Sequence, residues 1–225
     1  MLPLIIAGVA VTGLATAAAT YYRKRGQNQN QQTENTPIPL GDIAVWGRPD
    51  AGKTTFISCL RGIHPSGEKE QTGSIKRYGK FEITSRDGRI YGVPGLCDIP
   101  GGPDRLENWL AAVESRKHIF YILSLAKLED SEYLRNVRTE IEHTVKRLND
   151  KAKDKRIHVI GAHLDNSKWK DFEPARVRET ILQDDTIREI REHFGKGAGY
   201  FYASNLLDRG SAMQLIEDII NDCSA

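Results

Sequence analysis

The sequence has almost no net charge, few cysteines and no internal repeat. Its 225 residues carry 32 Lys+Arg against 30 Asp+Glu, a formal net charge of +2. That balance offers no basic face for a nucleic acid, so none is expected as the main partner. Basic runs such as Lys151 to Arg156 read as solvated helix ends or loops. The three cysteines, Cys59, Cys97 and Cys223, are odd in number and widely spaced, which excludes a disulfide framework and a metal knuckle. Cys59 and Cys97 sit in apolar surroundings and read as buried thiols of a reducing compartment. The six histidines show no metal-ligand spacing.

Charge is also missing altogether from Met1 to Thr20, a run dominated by Ala, Leu, Ile and Val. About 20 apolar residues span a hydrocarbon core of roughly 30 Å as a helix. Tyr21 and Tyr22 suit an interfacial belt, and Arg23, Lys24 and Arg25 suit the cytoplasmic side. The expectation is a single-pass transmembrane anchor over residues 1–22, with the rest of the chain in the cytoplasm. A cleaved signal peptide is the rival, kept open by the small residues Ala17 to Ala19. It would normally place its positive charges before the apolar run. Residues 23–40, with Gln27 to Gln32 at their centre, cannot offset their ordering entropy by burial and read as a flexible polar linker.

Residues 41–225 alternate between strand and helix patterns. Strands are expected at Asp42–Trp46, Tyr78–Thr84, Ile90–Ile99, His118–Leu125, Arg156–Ala162 and Gly199–Ala203. The second and third are joined by a turn at Asp87-Gly88. Helices are expected at Lys53–Arg61, Asp104–Ser115, Asp130–Leu148, Arg176–Phe194 and Ala212–Ile220. This order predicts an α/β fold in three layers, a mainly parallel six-stranded sheet with helices on both faces.

Gly47-Arg48-Pro49-Asp50-Ala51-Gly52-Lys53-Thr54 fits G-x-x-x-x-G-K-[ST] at every fixed position, between an apolar strand and a helix. Such a loop wraps its N–H groups around phosphates at a helix N-terminus. Gly47, Asp50, Ala51, Gly52, Lys53, Thr54 and Thr55 are therefore candidate nucleotide contacts. Lys53 would reach the β- and γ-phosphates, and the Thr54 hydroxyl would ligate Mg²⁺.

Asp98-Ile99-Pro100-Gly101 then resembles the third motif of Ras-like GTPases. The resemblance implies that Asp98 holds Mg²⁺ through water and that the Gly101 amide senses the γ-phosphate. Gln71-Thr72-Gly73-Ser74 resembles the first switch of Arf-like GTPases and of the signal recognition particle receptor β subunit. It implies Thr72 as a further Mg²⁺ ligand, with Ser74 and Thr84 as weaker alternatives. Lys53, Thr72 and Gly101 are the residues implied in catalysis. Where the family carries [NT]-K-x-D, this chain has Ala162-His163-Leu164-Asp165. Asp165 would accept hydrogen bonds from guanine and His163 would stack on the base, while the lost Asn and Lys leave adenine open. Ser204 and Asn205 fall in a loop similar to the fifth motif, which contacts the base. The Asp50 position resembles one that helps bind K⁺ in some bacterial GTPases, although a turn residue is the simpler reading.

The family's water-orienting glutamine is replaced by Gly102. Slow intrinsic hydrolysis is therefore expected, with help from a protein partner, a dimer or a cation. Arg105, Trp109 and Leu110 could present an effector surface, though Trp109 reads better as core. The leading reading is a membrane-tethered GTPase switch. The alternatives are a nucleotide-binding scaffold with little hydrolysis and a P-loop ATPase. A membrane-remodelling GTPase is disfavoured because the chain lacks a long helical stalk.

Overall fold

The computed structural model describes residues 36–65, 74–102, 105–148, 155–194 and 200–224. Its frame is a six-stranded sheet in the order β3-β6-β2-β7-β8-β9. The strands are β2 (Ile43–Gly47), β3 (Lys76–Tyr78), β6 (Leu96–Asp98), β7 (His118–Ser124), β8 (Arg156–Ala162) and β9 (Tyr200–Ala203). All neighbours run parallel except β3, which pairs antiparallel with β6 at the edge. The mainly parallel six-stranded sheet of the sequence reading is thus present, with one antiparallel strand.

The strand period of two divides the core between the faces. Ala44, Trp46, Ile119, Tyr121, Leu123, Ile157, Val159 and Phe201 point to one side. There they meet α2 (Leu106–Ser115), α3 (Ser131–Leu148), α4 (Pro174–Gln183) and α5 (Asp185–His193). Ile43, Val45, Phe120, Ile122, Ile160, Ala162 and Tyr202 point to the other, against α1 (Lys53–Leu60) and α6 (Arg209–Ser224). Helices therefore cover both faces, giving the three expected layers.

Two expected strands are each broken. The stretch from Tyr78 to Thr84 divides at Gly79-Lys80, and that from Ile90 divides at Pro94-Gly95, where proline has no N–H to give a ladder. The freed pieces, β4 (Phe81–Thr84) and β5 (Ile90–Val93), form the expected hairpin, but in a second sheet of order β1-β5-β4. The strand β1 (Ile38–Pro39) pairs parallel with β5, and Leu40 is buried. The sheet structure thus begins within the stretch read as the end of the linker. The expected helix Arg176–Phe194 is two helices. Asp184 stands extended between them and accepts from the N–H groups of Thr186 and Ile187, so it caps α5.

Among the described residues no helix is long and apolar enough to cross a membrane. Met1 to Thr20, where an anchor is expected, lie outside the described residues.

Trp109 is fully buried against Trp46, ring centroids 4.3 Å apart, and its indole N–H donates to Thr144 Oγ1 at 3.1 Å. It is core, as favoured. Leu110 is buried beside it. Neither side chain offers an effector surface, because the first turns of α2 turn their apolar stripe inward. Cys97 is buried as expected, but Cys59 is only half-buried.

Candidate functional site

The carboxyl ends of the parallel strands gather the phosphate loop, the D-x-x-G segment and the two loops after β8 and β9. The loop leaves β2 at Gly47, whose own partner in the register is Ile122. A β-carbon there would fall 1.9 Å from the Ile122 carbonyl oxygen, so only glycine lets β2 run so close to β7 at this point. Asp50 adopts φ 58° and Gly52 φ 93°, the turn needed to bring the chain into α1. Helix α1 begins at Lys53 with no capping side chain and no acidic residue in its first turn. Such an end favours an anion.

Lys53 is buried, and its Nζ donates to the carbonyls of Gly47 at 3.0 Å and Arg48 at 2.8 Å. Burial pulls its pKa below the ordinary lysine value, while Asp98, Glu140 and Asp50 resist that fall. Ala51 is buried, Thr54 and Thr55 are half-buried, and Asp50 is exposed. Thr54 Oγ1 donates to Asp98 Oδ2 at 3.3 Å, so the two expected Mg²⁺ ligands already share one side of the loop. Uncapped helix end, inward lysine and adjoining hydroxyl and carboxylate together fit a Mg²⁺-nucleotide phosphate chain.

Gly101 packs directly on the loop. A β-carbon there would lie 2.6 Å from Pro49 N, 2.7 Å from Gly47 O and 2.8 Å from Arg48 C. Thr72 lies outside the described residues. Of the weaker candidates, Ser74 is exposed just before β3, and Thr84 is exposed on β4 in the second sheet, paired with Ile90, so it is not part of this group.

On the base side, His163 takes φ 58° and shares a 2.9 Å hydrogen bond with Ser124 Oγ through Nδ1. Its Nε2 lies 3.8 Å from where a Gly52 β-carbon would be, so the ring leans on the second glycine of the loop. Asp165 is exposed and accepts from Asn166 Nδ2 at 2.9 Å. Ser204 is buried, with its hydroxyl 3.0 Å from that of Ser211. Ser211 Oγ also accepts from the Asn205 N–H, and Asn205 Oδ1 accepts from Leu207 N–H, which fixes the loop ahead of α6.

One group at the site has no signature in the sequence. Arg48 Nη1 donates to Glu140 Oε1 of α3 at 3.0 Å, and the Tyr121 hydroxyl donates to Glu140 Oε2 at 2.9 Å. Burial raises the Glu140 pKa, opposed by Arg48 and Tyr121. Arg48 and Glu140 are 92 positions apart, and only the fold pairs them.

The same architecture occurs in solved structures. The Arl6 BBS3 small GTPase of Trypanosoma brucei, with bound nucleotide analogue GppNp, superposes with a TM-score of 0.58 at 16% identity, covering 84% of this chain and 98% of that one. This likeness establishes a shared fold. Among characterised sequences, interferon-gamma-inducible GTPase 10 of Mus musculus is 28% identical over 189 residues, covering 77% of this chain and 41% of that protein. GTPase Era of Lactobacillus delbrueckii subsp. bulgaricus is 20% identical over 179 residues, covering 75% and 59% respectively. GTPase Obg of Trichodesmium erythraeum is 21% identical over 154 residues, covering 67% and 41%. The chain therefore spans between 41% and 59% of the length of these relatives. Residues 42–162, more than half of the 225, match the sequence profile of the family described as 50S ribosome-binding GTPase. Loop, D-x-x-G contact, sheet order and sequence profile agree, and the chain belongs to that family of P-loop GTPases.

Proposed function

We propose that this GTPase domain is a Mg²⁺-dependent switch, slow to hydrolyse GTP unaided and tethered to a membrane by residues 1–22 through the linker that follows. The observation that carries the switch is the seat of Gly101 on the backbone of Gly47 to Pro49. A segment packed that closely registers whether a γ-phosphate occupies the loop. Lys53 would hold the β- and γ-phosphates, and Thr54, Asp98 and Thr72 would be the residues to hold Mg²⁺, which would neutralise phosphate charge. Asp165 accepts from guanine, His163 flanks the base, and the Ser204–Asn205 loop closes over it. Asp50 shapes the loop, and K⁺ beside it remains a secondary role.

Slow hydrolysis follows from Gly102, which offers no side chain to orient water. The rate then comes from a partner protein. The same residue favours a second reading, a nucleotide-binding scaffold with little turnover.

Calorimetry of the full chain with GDP, GTP and ATP in Mg²⁺ tests the ligand, and single-turnover hydrolysis tests the rate. Tight binding of ATP with none of GDP or GTP would sink the guanine assignment. Rapid turnover by the isolated monomer would sink the need for a partner. Flotation with liposomes, lost on deleting residues 1–22, tests the tether.

A further inference from the structure

At the amino-terminal ends of the central strands, three side chains that the nucleotide site does not use converge. His118 is the first residue of β7, His158 the third of β8, and Cys223 lies in the last turn of α6. Both histidines are fully buried and Cys223 retains 7% exposure. The register pairs His118 with Arg156, so the alternation along β7 and β8 turns His118 and His158 to the α6 face, beside Phe120 and Ile160. His118 Nδ1 lies 3.4 Å from His158 Nε2 and 3.4 Å from Cys223 Sγ, and Sγ lies 3.8 Å from His158 Nε2.

We propose that His118, His158 and Cys223 form a zinc site that pins the end of α6 to the amino-terminal edges of β7 and β8. Zinc binds imidazole nitrogen at about 2.0–2.1 Å and thiolate sulfur at about 2.3 Å in a tetrahedron, whose edges are then about 3.3 Å (N to N) and about 3.6 Å (N to S). The three observed separations match these edges with little movement. Neutral imidazoles and one thiolate are a ligand set for zinc rather than for Mg²⁺ or Ca²⁺.

The surroundings of His158 present the tautomer that zinc needs. The Tyr202 hydroxyl donates to Asp222 Oδ2 at 2.7 Å, so its oxygen is left to accept from His158 Nδ1, 3.2 Å away. A proton on Nδ1 leaves the lone pair on Nε2, the atom that faces the cluster. Asp222 and Tyr202 thus orient His158 from outside the site, as partners of metal-bound histidines do. When the metal binds, the Cys223 S–H bond breaks, the proton leaves to solvent and the sulfur lone pair forms the bond to zinc.

The cluster is far from the phosphates. His118 and Ser124, whose hydroxyl meets His163, stand at opposite ends of β7, six residues or about 20 Å apart. The site is therefore separate from the nucleotide site, and α6 connects it to the loop of Ser204 and Asn205.

The test is metal analysis of the full chain purified from zinc-supplemented culture, followed by exchange for Co²⁺. We expect about one zinc per chain, and in the cobalt form a thiolate-to-cobalt charge-transfer band with the strong visible bands of a tetrahedral ion. Cys223→Ser should lose the charge-transfer band and the zinc while still binding GDP. Tyr202→Phe should weaken the metal by about 10–100-fold. Wild-type protein without zinc that gives no cobalt band overturns the proposal, as does Cys223→Ser retaining either, or copper bound in place of zinc. If Cys223→Ser does not fold, the wild-type cobalt spectrum decides.

Discussion

Gly101→Ala is the sharpest test of how the D-x-x-G segment and the phosphate loop depend on each other. The new β-carbon would meet three backbone atoms of the loop, at 2.6, 2.7 and 2.8 Å, none of which can rotate away. Ordinary contact begins near 3.4 Å, so the segment must retreat by about 0.8 Å, the difference between 3.4 and 2.6 Å. Overpacking of this kind costs about 1–3 kcal/mol. For a domain of this size each kcal/mol moves Tm by roughly 2–4 °C, so a fall of about 2–12 °C is expected. The effect on chemistry is larger, because misplacing a positioned group by about 1 Å costs on the order of 10²-fold. Gly79→Ala is the control: nothing lies within 4 Å of its β-carbon and its backbone is unstrained, so a change within about 0.5 kcal/mol is expected. Thermal melting and single-turnover GTP hydrolysis of the two variants give the comparison. Equal melting temperatures and equal rates would refute the close seat of Gly101 on the loop.

Asp165→Ala should weaken GDP by roughly 10–150-fold, the equivalent of a charged hydrogen-bonding partner worth about 1.5–3 kcal/mol, and leave ATP binding unchanged by calorimetry. Gly102 takes φ 153°, a conformation that favours glycine, so Gly102→Gln should raise single-turnover hydrolysis by at least about tenfold where its Tm matches wild type; an unchanged rate at unchanged Tm removes the explanation of an unoriented water. Glu140→Gln separates burial from pairing: burial holds the Glu140 pKa above its ordinary value despite Arg48 and Tyr121, so ionisation costs the fold. Gln mimics the protonated acid. Urea melts should therefore coincide at pH below about 4, and wild type should fall behind Glu140→Gln as the pH rises through the raised pKa. Glu140→Gln less stable than wild type at neutral pH would mean that the Arg48 pair outweighs burial.

The legible parts of the site are those whose chemistry is local in the chain. Gly47 to Thr54 form one continuous loop, and the same eight positions specify both the turn and the ligand. Asp98 and Gly101 are three apart, and the end of β6 carries both to the loop. The broken strands are marked too: Tyr78 and Phe81 are three apart, so the alternation slips at Gly79-Lys80, and Pro94-Gly95 interrupts the second stretch. Asp184 is not marked by a glycine or proline, and one aspartate in a charged stretch reads as another exposed helix residue. Illegible were the contacts made across parallel strands. Neighbours there are separated by a whole crossover helix, so His118 meets His158 over 40 positions, and Glu140 on the crossover helix α3 meets Arg48 of the loop over 92. No spacing rule reaches that far.

His163 shows how structure reinterprets a sequence departure. As a missing lysine it weakens the guanine assignment. In the fold, the position has a second requirement, a flat side chain able to lean on Gly52 from a left-handed backbone. Histidine tolerates that conformation better than most residues, and Ser124 holds its ring in place through Nδ1. Ala162 is buried, and its β-carbon lies 3.2 Å from the position a Gly52 β-carbon would take, so this strand end also packs on the loop, less tightly than Gly101 does from the other side. The phosphate loop thus sits between β8 and the D-x-x-G segment, and on the Gly101 side no carbon can be added without a backbone shift. His163 keeps this packing without a lysine's charge, and under the proposed function base recognition would rest on Asp165, the exposed carboxylate of that motif.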